Sequence, residues 1–175
     1  MTLSITIAEL RAAHACNLDD RIAALSAHLG RMPENDEAVP LSTWAEVTPN
    51  VVDLLWELRC CWHRGGRAVG VEVACRAAER AMARARPKKM SMMRAAVDAA
   101  RGCVAGKVTQ EACQDAAIAA FPSVAYAAAR AACATYANTA ANAVYDAVND
   151  ALAASVSASE RAAQRADLLS LLEAT

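Results

Sequence analysis

The chain is predicted to be all-α: one helical bundle of about seven to eight helices, with a long alanine-rich helix in its C-terminal part. Three observations predict this. Alanine supplies most of a 56% apolar content, and alanine is the best helix former while adding little buried area. Phe occurs once, and Trp and Tyr three times each, and nowhere do strand-forming residues gather into an alternating run. Helix start and stop signals, finally, recur along most of the chain. With 175 residues the chain can bury one proper core, so residues 1–175 are expected to form a single domain.

The elements follow in order. Thr6 with Glu9 makes a capping box for a short first helix through Leu10 and Ala13. Asn17 can cap a second through Leu18, Ile22, Leu25 and Leu29, with Gly30 where a left-handed terminal residue is wanted. Residues 31–40, with Pro33, Asn35, Asp36 and Pro40, read as a loop. Thr43 and Glu46 suggest a single turn around Trp44. Thr48 and Pro49 then look like a cap and first helical position for a helix through Val52, Leu55, Trp56 and Leu58 that ends at Gly65–Gly66. Further helices are expected over about 67–86, about 91–105 and from Thr109 to near Phe121. From Pro122 the pattern stays helical for about thirty residues, with Tyr126, Ala129, Cys133, Ala137, Ala140, Val144, Val148 and Leu152 near one face. Ser155, Ser157 and Ser159 interrupt it, and Ser159 is expected to cap a last helix carrying Leu168, Leu169, Leu171 and Leu172.

Composition bounds the setting. No signal-peptide pattern opens the chain and no uninterrupted apolar run reaches about 18 residues, so a cytoplasmic protein with no membrane partner is expected. The seven cysteines are odd in number and irregularly spaced, which fits reduced thiols better than a disulfide framework. The near-neutral overall charge hides a division. Residues 1–58 carry three arginines against nine acids, residues 59–107 twelve Lys and Arg against Glu72, Glu79 and Asp98, and residues 108–175 three arginines against seven acids. An acidic helical part, a basic middle and an acidic alanine-rich part are therefore expected within the one domain.

Little points to catalysis. Cys60-Cys61-Trp62-His63 holds metal-ligand residue types, but adjacent helical residues point about 100° apart and no second CxxC or HxxxH completes a tetrahedral set. His14 and Cys16, distant in sequence only, are candidates to complete one, but packing is the reading preferred; no metal and no cofactor are expected. His14, His28 and His63 lie in no nucleophile motif, and no phosphate-cradling glycine loop is present. Asp19-Asp20 and Asp36-Glu37 sit where helix starts and loops favour acids. The chain is expected not to be an enzyme.

Two surfaces are candidates for binding. Arg76, Arg80 and Arg84 repeat every four residues and line one side of a helix, extended by Lys88 and Lys89. Such a stripe could neutralise the phosphates of a nucleic acid or meet an acidic protein. It could equally be covered by the acidic flanks or simply be solvated. The second surface is a polar ribbon, Asn138, Asn142, Tyr145, Asp146 and Asn149 with Asp150, since asparagine is a poor interior helix residue and several on one helix suggest compensating contacts.

The stretches TLSITIAELRAAHACN and PNVVDLLWELRCCW resemble the N-terminal pattern of alanine-rich proteins from bacteriophages and bacterial mobile elements. MRAAVDAARGCVAGKVTQEA and the tyrosine-punctuated alanine helix after it are similar to all-helical immunity proteins of the Imm type, with Tyr126, Tyr136 and Tyr145 where that class has tryptophans. The resemblance implies a non-enzymatic, stoichiometric binder of a protein or nucleoprotein, for instance an anti-CRISPR-like inhibitor of a host nuclease complex. It also leaves room for an immunity protein that neutralises a toxin. Direct nucleic-acid binding through 59–107, as in a regulator, and a homodimer through the alanine-lined helix are further expectations.

Overall fold

The computed structural model describes every residue except 1, 16, 84, 85, 122, 134–142, 144, 145, 147–157 and 175. The Thr6 hydroxyl accepts from the Glu9 amide at 3.0 Å and the Glu9 carboxylate from the Thr6 amide at 2.9 Å. This predicted box satisfies two amides that a helix start leaves free, and α1 follows over Ile7–Ala12. Ahead of it Ser4–Ile5 forms β1, antiparallel to β2 at Val39–Pro40. The pairing turns part of the predicted 31–40 loop into an edge that ties it to the N-terminus. Two residues are too few to show an alternating pattern, which is why none was visible.

Helix α2 spans Leu18–Leu29 and stops at Gly30, whose φ of +70° is the predicted left-handed end. Asn17 departs from its predicted role: it adopts φ +51° and makes no side-chain cap, a conformation asparagine tolerates better than most residues. Helix α3, Leu41–Val47, is longer than the single turn expected, because Trp44 is wholly buried at its centre. Thr48 ends α3 instead of opening the next helix, so α4 runs Val51–Cys60. A 3-10 turn at Trp62–Arg64 leads to α5, Gly66–Met82. At Gly66 a Cβ would stand 2.6 Å from the Leu58 carbonyl oxygen, so only glycine lets α5 start this close to the end of α4.

Helix α6 covers Pro87–Val104, starting earlier than the predicted 91 because Pro87 is a first-turn proline, lacking only an amide that the helix start leaves free. Thr109 caps α7, Gln110–Ala119, by accepting from the Ala112 amide at 3.2 Å. Helix α8 is Val124–Cys133. Of the long helix predicted from 122 to 152, the remainder lies outside the described residues apart from Ala143 and Asp146. Helix α9, Ala158–Glu173, begins before Ser159, which therefore sits inside its first turn and not at its cap.

These nine α-helices of the described residues share one core that runs from Leu3 to Leu172, and the all-α bundle is the observed fold. Helix α8 packs against α5, α6 and α7. Apart from Tyr126 and Arg130 its residues are buried, and nearly all are alanine, so its neighbours meet it through methyl groups and can approach closely. Helix α9 lies on α3, α4 and α5, anchored by Leu168 and Leu172. In the N-terminal part, Arg21 of α2 pairs with Glu57 of α4, both nearly inaccessible; removing one member of such a pair costs about 3–5 kcal/mol. None of the described helices is long and apolar enough to cross a membrane.

Candidate functional site

The basic stripe is divided by the fold. Arg76 and Arg80, one turn apart on α5, face α9. Arg76 Nη1 donates to Asp167 Oδ1 at 3.1 Å and its Nε to Glu72 Oε1 at 3.3 Å. Arg80 Nε donates to both Glu160 oxygens at 3.0 Å, and its Nη1 reaches Asp167. Arg101 of α6 closes the network, with Nε on Glu72 Oε2 at 2.8 Å and Nη1 on Glu79. Burial alone would raise the Glu72 pKa, but the hydrogen bonds and charges of Arg101 and Arg76 outweigh it and hold the carboxyl below its ordinary 4.5. Burial likewise works against the charge on Arg80, and Glu160 and Asp167 more than offset it. Of the three states open to the stripe from sequence, coverage by an acidic flank is therefore the one found at Arg76 and Arg80. With four carboxylates around three guanidiniums, these cations are already neutralised within the fold.

Arg84 lies outside the described residues. Lys88 and Lys89 are exposed in the first turn of α6, with exposed Arg86 at its N-cap and exposed Arg94 within two turns. None of the four forms an ion pair among the described residues, and the first turn of α6 holds no acid. The N-terminal end of an 18-residue helix carries partial positive charge, where each added cation costs about 0.3–1 kcal/mol. Three cations at that end thus oppose the helix they sit on. No carboxylate among the described residues offsets them.

In the polar ribbon, Asp146 is exposed on a helix, while Asn138, Asn142, Tyr145 and Asn149 lie outside the described residues. The Cys60-Cys61-Trp62-His63 cluster is dispersed. Cys61 and Trp62 are buried and His63 is exposed, and burial pushes the Cys61 thiol up to about 11. Among the described residues no group of three or more His, Cys, Asp and Glu is arranged to hold a metal ion. His14, also left-handed at φ +53°, lines an open cavity of about 470 Å³ with Arg11, Asn17, Asp19 and Asp20.

Sequence reading singled out Lys88 and Lys89 but missed Arg86 and Arg94, although Pro87 was a signal for a helix start that would have placed Arg86, Lys88 and Lys89 at its positive end. It also missed Glu160 and Asp167 as partners of the stripe. Their seven-residue separation puts them on one side of α9, where Arg80 reaches both and Arg76 reaches Asp167. Comparison of the chain with family models, with curated proteins and with solved structures finds no match.

Proposed function

We propose that the protein is a non-catalytic, stoichiometric binder, of the kind carried by bacteriophages and mobile elements, that works in a bacterial cytoplasm. It docks on a nucleic-acid-bearing partner, such as a host nuclease complex, through the exposed start of α6. The observation that carries this reading is the set Arg86, Lys88, Lys89 and Arg94, exposed and unpaired among the described residues. Phosphates placed there would relieve the repulsion between these charges and the helix end, and would release the counterions condensed on the nucleic acid. Arg76 and Arg80 take no direct part, because Glu160 and Asp167 hold them.

Titration of a short labelled duplex with the protein, followed by fluorescence anisotropy over a salt series, tests the reading. Three to four phosphate contacts predict a log–log salt slope of about −3 to −4. Absence of any binding at about 50 mM salt, where such contacts are strong, would remove the basis for the proposal. A second reading, toxin neutralisation, is favoured by Asp19 and Asp20, exposed carboxylates beside the α1–α2 cavity. Under it those residues, and not the start of α6, would contact a basic partner.

A further inference from the structure

Three cysteines from three helices meet at the end of α8. Cys103, near the end of α6, donates from its thiol to the Ala132 carbonyl at 3.5 Å. Cys113 of α7 donates to the Ala129 carbonyl at 3.5 Å, and Cys133 to its own helix at Arg130, 3.6 Å away. The three acceptor carbonyls, at Ala129, Arg130 and Ala132, lie within one turn of α8, so the three sulfurs converge on its last turn.

Access and charge separate the three. Cys113 is fully buried and Cys133 is 9% exposed, whereas Cys103 is only half-buried. Arg67 of α5 places Nη2 4.0 Å from the Cys103 sulfur and also donates to the Ala132 carbonyl. No carboxylate pairs with Arg67 among the described residues. A fixed positive charge therefore stands beside the most exposed cysteine of the trio, where negative charge must develop when its sulfur attacks an electrophile. The adjacent pair Cys60 and Cys61 differs in its balance: Arg59 and Arg64 stand near it, but Arg64 is 2.8 Å from Glu9, and burial outweighs the cations and raises both thiols.

We propose that Cys103 and Cys113 form a peroxide-sensitive thiol pair, in which Cys103 attacks and Cys113 resolves. The Cys103 sulfur, as thiolate, attacks one oxygen of hydrogen peroxide; an S–O bond forms, the O–O bond breaks, and the departing hydroxide takes a proton to become water. Cys103 is then a sulfenic acid. The Cys113 sulfur attacks the Cys103 sulfur, the S–S bond forms as the S–O bond breaks, and the hydroxyl leaves with the Cys113 proton as a second water. Two thiols and one peroxide thus give one disulfide and two waters, with the peroxide as two-electron acceptor. Burial pushes the Cys113 thiol up to about 12, which suits a group that waits for an adjacent sulfenic acid and does not itself meet peroxide. The bond ties α7 to the end of α6, across a turn in which the Lys107 and Val108 amides already donate to the Gly102 carbonyl at 2.8 and 3.1 Å.

The test is peroxide treatment of the fully reduced protein at stoichiometric dose, with thiols counted after denaturation and the bridge located by peptide mass mapping. The expected result is loss of two of the seven thiols, with Cys103 and Cys113 joined. In Cys113→Ser, dimedone should label Cys103 as a trapped sulfenic acid; in Cys103→Ser, the remaining thiols should survive the same dose. Retention of all seven thiols in the wild-type protein, a bridge mapped to another pair, or unchanged thiol loss in Cys103→Ser would overturn the proposal. The mapping on wild-type protein decides even if a variant folds poorly.

Discussion

The cations of α5 and those at the start of α6 are near neighbours in the chain, yet the fold gives them opposite surroundings. Arg76 and Arg80 are about one-third exposed and enclosed by Glu72, Glu160 and Asp167. Arg86, Lys88, Lys89 and Arg94 are exposed and paired with no carboxylate among the described residues. In the first group a third layer, α9, brings the counter-charge and with it the apolar anchors Leu168 and Leu172. In the second, Arg86, Lys88 and Lys89 stand at the positive end of their own helix, whose first turn holds no acid. Net charge along a sequence therefore measures how much cation there is, and only the packing decides whether a charge is neutralised internally or left for a partner.

Charge reversal separates the two groups most sharply. Arg76→Glu with Arg80→Glu would set four acids of α5 against Glu160 and Asp167 with Arg101 as the one cation left in the network, and is expected to lower stability by about 1.5–3 kcal/mol, read as a fall in the denaturant midpoint. A change within ±0.5 kcal/mol, the range of ordinary surface substitutions, would mean that α9 does not depend on these pairs. Acidification gives a smaller effect confined to the same network. Glu72 has a lowered pKa in the fold, so its contribution is present above about 4.5 and is lost as pH falls through the lowered value. Thermal melts should therefore decline below that pH, and Glu72→Gln should flatten the decline. An unchanged acid limb in that variant would contradict the network's role.

What was legible in the sequence was what acts over a few residues. The Thr6–Glu9 box, the Gly30 stop and the Thr109 cap each involve groups within four positions, and each formed as read. The all-α class followed from summed alanine propensity, which tertiary packing here reinforces. Asn17 makes no side-chain cap because it adopts a left-handed conformation, and Ser159 falls inside its helix, one residue past the start; residue type alone states neither. The partnership of Arg80 with Glu160 joins residues 80 positions apart, and sequence could supply only the opposite signs of the two segments. Lys88 and Lys89 were legible as charge; their placement against a helix dipole became visible only when Pro87 was found in the first turn.

The most direct test of the division between the two groups is Lys88→Glu with Lys89→Glu, measured for duplex affinity and for unfolding free energy on the same preparation. Acids at a helix start are favourable by about 0.3–1 kcal/mol each, so stability is expected to hold or rise slightly while duplex binding is lost. Loss of stability with binding unchanged would contradict the account, since it would place the start of α6 in service of the fold and leave the proposed surface without a role.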